Sequence, residues 1–162
     1  MIVVSNTSPL TNLAAIGQLD VLRQIYHQIV IPEAVFHELT AEGGLHPGAI
    51  VRQLDWVTCR TVSNSAVVTA LEVELDRGEA EAITLSQELA ADLLLIDEHL
   101  GRVVASRLGI KIIGLLGMLM EAKHQGLIPE IKALVDALMN QGFRIGNDLY
   151  ARVLEAAGEQ KP

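Results

Sequence analysis

Aromatic side chains are scarce: the 162 residues hold one Trp, two Tyr and two Phe. That leaves too few rings for a platform on which RNA bases could stack, so the core must be built from Ala, Val, Ile and Leu. Cysteine is nearly absent. Cys59 alone can form neither an internal disulfide nor a cysteine-based zinc site, and it reads as a small core or edge residue. Cations are also few, 12 Lys and Arg against 20 Asp and Glu, for a formal net charge of −8. That balance is the opposite of a general nucleic-acid binder's, yet it suits carboxylates gathered around a metal ion, which inverts the local field. No apolar run is long enough to span a bilayer; the longest, 110–120, is broken by Lys111. No basic-then-apolar leader opens the sequence. The expectation is a soluble, cytoplasmic protein that makes no use of a membrane. There is no G-x-x-x-x-G-K-S/T loop, which removes the P-loop NTPases, and Gly114 and Gly117 form no phosphate-binding fingerprint. His27, His37, His46, His99 and His124 have no metal-ligand spacing such as H-E-x-x-H.

What the sequence does have is short aliphatic runs alternating with helical patterns. Ile2-Val3-Val4, Ile29-Val30-Ile31, Leu93-Leu94-Leu95-Ile96 and the run 110–113 read as buried strands, and 56–62 as an edge strand. Helices are expected at 19–26, from Pro32 as a first helical residue, and at 66–75, 79–90, 100–108, 115–124, 129–140 and about 148–157. Gly43-Gly44 and His46-Pro47-Gly48 read as a loop. Such alternation predicts a single α/β domain: a parallel sheet of four or five strands flanked by helices. Its core covers about 1–125, with extra C-terminal helices as an appendage at about 126–158.

Ligands of open α/β sheets bind outside the carboxyl ends of the strands. Asn6 follows the first strand, and Asp97 and Glu98 follow the Leu93 run. Glu38 and Glu79 lie in helices that can lean over the same edge. Oxygen-bearing side chains gathered in this way suit Mg²⁺ or Mn²⁺, because hard cations take oxygen ligands and like-charged carboxylates tolerate one another around a cation.

Four blocks carry a resemblance. Val3-Val4-Ser5-Asn6-Thr7-Ser8-Pro9-Leu10 resembles the opening of PIN-domain proteins, where a strand ends in an acidic residue followed by Ser or Thr. Pro32-Glu33-Ala34-Val35-Phe36-His37-Glu38-Leu39, Asp76-Arg77-Gly78-Glu79-Ala80-Glu81-Ala82-Ile83 and Leu94-Leu95-Ile96-Asp97-Glu98 resemble the second, third and fourth blocks, in the family's order. The tail from Gly142 to Tyr150 is similar to a PIN-like subgroup of prokaryotic proteins. The resemblance implies a single PIN-like domain over 1–162 and a metal-dependent ribonuclease, which in many relatives is the toxin of a toxin–antitoxin pair. It implies RNA as substrate, an antitoxin protein as partner, and a homodimer, since dimers are common among relatives. It places Asn6, Glu38, Glu79 and Asp97 at the metal, with Glu38, Glu79 and Asp97 catalytic.

Glu81 competes with Glu79; the two point apart on a helix, and Glu79 is preferred as the one nearer the helix start. Thr7 and Ser8 read either as helix caps or as contacts to metal or phosphate. Glu98 reads as solvated or as a support behind the ligands. Arg102 reads as the partner of a carboxylate or as a phosphate contact. The family usually has Asp where this sequence has Asn6, which can ligate a cation but brings no charge. An inactive binding module on the same fold is therefore the rival reading. A receiver-like phosphoacceptor fits less well: no mid-sheet strand ends in a suitable Asp pair, and Lys111 precedes the last strand.

Overall fold

The computed structural model describes residues 1–41 and 46–159. Five parallel strands form one sheet in the order β3-β2-β1-β4-β5. They are β1 (Val3–Ser5), β2 (Ile29–Pro32), β3 (Val57–Arg60), β4 (Leu93–Leu95) and β5 (Ile112–Ile113). The helices, in chain order, are α1 (Thr7–Ala15), α2 (Asp20–Tyr26), α3 (Glu33–Thr40), α4 (Ser65–Leu71), α5 (Arg77–Glu88), α6 (His99–Arg107), α7 (Leu115–His124), α8 (Lys132–Asn140) and α9 (Asn147–Ala156). A 3-10 helix, Pro47–Gln53, follows α3. Among the described residues no helix is long and apolar enough to cross a membrane.

The central strands β1, β2 and β4 are buried on both faces, which is why they are aliphatic rather than alternating, whereas the edge strand β3 is mostly exposed. Successive side chains of a strand point to opposite faces, and the core divides accordingly. Val3, Ile29, Ile31 and Leu95 pack with Leu10, Leu13, Leu22 and Leu119 on one side. Val4, Leu94 and Ile96 pack with Ile83, Leu85 and Val104 on the other. The chain runs from β1 outward to β2 and β3, then returns to place β4 on the far side of β1. The crevice where the strand order reverses therefore opens at the carboxyl ends of β1 and β4.

Several expected boundaries shift for identifiable reasons. Pro32 is the last residue of β2, paired with Arg60 in register, and only caps α3; its ψ of 166° is extended rather than helical. The last strand is shorter than 110–113, because the Ile110 amide donates to Ala105 O and closes α6 instead. His46-Pro47-Gly48 opens the 3-10 helix, with His46 Nδ1 accepting from the Gly48 amide at 3.0 Å. Gly43-Gly44 lies outside the described residues. Cys59 is exposed on the edge strand β3.

The segment 126–158, expected as an appendage, contributes Ile131, Val135, Leu138 and Leu154 to the same cluster as Val3 and Leu95. Leu138 is fully buried. Leu138→Ala should then destabilise the whole domain by about 2–5 kcal/mol, in one cooperative transition. Chemical denaturation followed by fluorescence of Trp56 and by helical circular dichroism should report coincident curves. Loss of the helices ahead of the rest would instead mark a separable unit.

Candidate functional site

Asn6 stands between β1 and α1, and its backbone amide continues the sheet by donating to Leu95 O at 2.9 Å. The residue is 3% exposed. Its side chain makes no cap hydrogen bond to α1; Nδ2 donates to Glu98 Oε2 at 3.0 Å. Asn6 holds the N-cap position of α1, but its side chain is spent on Glu98. Thr7 and Ser8 behave alike. Thr7 Oγ1 donates to Glu38 Oε2 at 2.5 Å, and Ser8 Oγ donates to Glu98 Oε1. Neither hydroxyl caps the helix.

Glu38 lies in the last turn of α3, on the exposed rim. It leans against the start of α5, where a Cβ on Gly78 would come within 2.5 Å of Glu38 Oε1. Only glycine lets the carboxylate and the helix approach so closely. Glu79, by contrast, is 7% exposed. It is fixed by a reciprocal cap: its amide donates to Asp76 Oδ1 at 2.8 Å, and the Asp76 amide donates to Glu79 Oε2 at 3.4 Å. Gly101 of α6 makes room for Ile96 instead, whose Cδ1 would lie 2.7 Å from a Cβ there.

Glu81 is turned elsewhere. Its Oε1 accepts from the Ala34 amide at 3.0 Å, and its Oε2 pairs with Arg77 Nε at 2.9 Å. It anchors the start of α3 and already has a cation. Asp97 follows β4 and accepts from the Leu115 amide through Oδ1 at 2.8 Å, while its buried Oδ2 has no hydrogen-bond partner among the described residues. Arg102 is exposed on α6 and forms no ion pair at salt-bridge distance among the described residues, so the expected carboxylate partnership is not made. Its charge acts on Asp97 at longer range.

The electrostatics show which of these groups meet. Burial raises the Glu38 carboxyl above its ordinary value; the Thr7 hydroxyl opposes this, and Asp76 and Glu98 add to it. Glu79 is pushed up to about 7, first by burial, then by the charges of Asp76 and Glu98, with Glu38 adding a smaller part. Asp97 is raised by burial; the Leu115 amide lowers it, Glu98 raises it and Arg102 lowers it. Glu38 and Glu79 therefore act on each other, and Asp97 joins them through Glu98, the group that all three feel. Two residues were underweighted from sequence. Glu98 is central rather than peripheral. Asp76, named above only as the first residue of the third block, belongs to the cluster; the D-x-x-E spacing ahead of an apolar helix is the signal for it.

Every group in the cluster offers oxygen, as a hard cation requires. No Lys or Arg pairs with Glu38, Asp76, Glu79, Asp97 or Glu98 among the described residues, and an orphaned oxygen on Asp97 remains. The donor set fits a divalent cation. Among the described residues no three His, Cys, Asp or Glu side chains stand at the spacing of a finished metal cage. Like charges spread apart, and Glu38 and Glu98 are held by Thr7, Asn6 and Ser8.

Because Glu79 titrates higher in the folded chain than in the unfolded one, the folded state binds more protons between about 4.5 and about 7. Its contribution to stability is full below about 4.5 and is lost as pH rises through about 7. Glu79→Gln removes that loss. In metal-free buffer, the thermal midpoint of the variant relative to the native protein should rise progressively from pH 5 to pH 8. An offset that does not change with pH would refute the assignment.

A search of curated proteins finds no match. A family model described as PIN domain matches residues 2–159. With nearly the whole chain covered, and a five-stranded parallel sheet bearing carboxylates at its carboxyl edge, the chain belongs to the PIN-domain family.

Proposed function

We propose that this PIN domain hydrolyses RNA phosphodiester bonds with Mg²⁺ or Mn²⁺. The observation that carries the reading is the grouping of Glu38, Asp76, Glu79, Glu98 and Asp97 at the switch point of the sheet, held by Thr7, Asn6, Ser8 and backbone amides, with the buried Asp97 Oδ2 left without a partner among the described residues. Raised carboxyl pKa values without a cationic side chain are costly to a fold, and a bound cation relieves that cost. Glu38, Glu79 and Asp97 would hold the ion, with Glu98 beside them and the Asn6 amide oxygen as a further ligand. The ion would supply a water of lowered pKa and charge neutralisation at the phosphoryl oxygens. The chain's own part is to orient its carboxylates through Thr7, Ser8 and the Leu115 amide. No nucleophile–histidine pair adjoins the cluster, which agrees with water as the attacking group.

Calorimetry with Mn²⁺ tests the reading. The native chain should bind at submillimolar metal, and Asp97→Asn should lose at least tenfold in affinity. Cleavage of single-stranded RNA should then require metal and fall at least a hundredfold in Glu79→Gln. Failure of both chains to bind at millimolar metal would end the enzyme reading.

A second reading, a PIN-like module that binds without cleaving, is favoured by Asn6 in the usual place of Asp. Asn6→Asp distinguishes the two. The added charge is worth about 1–2 kcal/mol near a cation in a partly screened site, or roughly tenfold or more in metal affinity. If RNA cleavage rises with it, the site is otherwise complete; tighter metal binding with no cleavage selects the binding module. A toxin role would add an antitoxin, for which a small basic or DNA-binding reading frame immediately upstream is the mark. Sedimentation tests the homodimer.

A further inference from the structure

Beside the acidic cluster lies a half-open cleft of about 470 Å³, formed where the end of β5 meets α6, the start of α7 and α9. Asp97 lines it, so the cleft and the cluster share a wall. Its other walls are of two kinds. Leu116, Phe143 and Leu149 supply apolar surface, and Arg102 and Arg144 supply two guanidinium groups. The volume is that of an ordinary small-ligand site.

Arg102 and Arg144 share this cleft, and like Arg52, Arg60, Arg107 and Lys111 they make no ion pair among the described residues, so what sets them apart is their place together beside Asp97. Arg23, Arg77, Lys123, Lys132 and Arg152 are all neutralised by carboxylates. Arg102 and Arg144 are exposed and have no carboxylate at salt-bridge distance among the described residues. Two unneutralised guanidinium groups in one cleft match the planar, bidentate geometry of a phosphate. The adjoining apolar wall includes Phe143, one of the few rings in the sequence. A ring and flanking aliphatic groups beside a phosphate contact suit a nucleobase, which stacks irrespective of its identity. Glycine keeps the passage between cleft and cluster open. A Cβ on Gly114 would lie 2.9 Å from Arg102 Nη1 and 3.0 Å from Asp97 Oδ1.

We infer that this cleft receives the nucleotide adjoining the scissile phosphodiester, its phosphate on Arg102 and Arg144 and its base against Phe143, Leu116 and Leu149. The inference rests on the reading of the domain as an RNA hydrolase and names where that substrate lies. A chain with net charge −8 repels RNA at long range, and this is the patch that offsets the repulsion next to the carboxylates.

The test is binding of a fluorescein-labelled single-stranded hexaribonucleotide, followed by anisotropy in EDTA, so that no cleavage occurs. Native protein, Arg102→Gln/Arg144→Gln, Phe143→Leu and Glu38→Gln/Glu79→Gln are compared. Both arginines are surface groups, and unchanged thermal midpoints confirm intact folds. The arginine variant should lose about tenfold in affinity per side chain. Its slope of log K against log salt should be shallower by about 0.7, the value for one phosphate contact on a single strand. Phe143→Leu should lose about fivefold or more, and the glutamate variant should bind at least as well as the native chain. No binding by the native chain, or equal affinity and slope in the arginine variant, overturns the inference. Binding that depends on the arginines, with no cleavage under Mg²⁺ or Mn²⁺, supports the cleft while defeating the hydrolase reading. Cleavage with KM unaltered in the arginine variant does the reverse.

Discussion

The parallel pairing of β1 with β4 is the contact on which the rest of the site depends. Val3, Val4 and Ser5 stand in register with Leu93, Leu94 and Leu95 at the centre of the sheet. Asn6 and Asp97 leave that pair of strands in parallel and on the same edge. The Asn6 amide still donates to Leu95 O, so the first polar residue of the site is tied to the sheet by its backbone. Because side chains alternate along a strand, a slip of one residue would send Val3 and Val4 to the wrong cores and carry Asn6 out of reach of Glu98. The hydrophobic pattern that fixes the fold therefore also fixes the site.

The sheet edge gathers like charges, and the structure manages them with neutral donors instead of cations. Asn6 and Ser8 each donate to Glu98, Thr7 donates to Glu38, and backbone amides serve Glu79's partner Asp76 and Asp97. Each such bond favours the ionised carboxylate without cancelling its charge. Glu81, which pairs with the Arg77 guanidinium, is turned away from the cluster. Asn6 bears on this balance directly. An Asp in its place could not donate to Glu98, and two carboxylates would face each other until a cation arrived. Asn6 thus spares the edge that repulsion by donating to Glu98.

Much of this was legible in the sequence. The strand positions, the parallel topology and the gathering of Asn6, Glu38, Glu79 and Asp97 near one edge follow from aliphatic runs that end in polar residues. Of the two glutamates between which the sequence left a choice, Glu79 feels the charges of Asp76, Glu98 and Glu38, whereas Glu81 accepts from the Ala34 amide and pairs with Arg77. What was not legible depends on side-chain direction. Glu98 follows Asp97 in sequence and should point elsewhere on an extended strand. The chain leaves the strand there to start α6, and Glu98 swings under Asn6 and Ser8. Asp76 was hidden because its cap role and its charge look alike in sequence. The position of α8 and α9 was hidden because periodicity marks an apolar face without naming what covers it.

Those last helices matter to the site through a tether. Glu159 accepts from the Ile131 amide at 2.8 Å and the Lys132 amide at 2.9 Å, and pairs with Lys123 at 2.7 Å. Lys123 also donates to Ala157 O at 2.5 Å, and the Tyr150 hydroxyl bonds Asp136 Oδ1 at 2.6 Å. The end of α9 is thereby fastened to α7 and to the start of α8, and α7 is the helix whose first amide holds Asp97. Phe143, Arg144 and Leu149 lie between α8 and the body of α9, so the tether sets the distance of that wall from Asp97. The Glu159 contacts thus act with the burial of Leu138 and Leu154 in the main core to hold the second side of the cleft beside the acidic cluster.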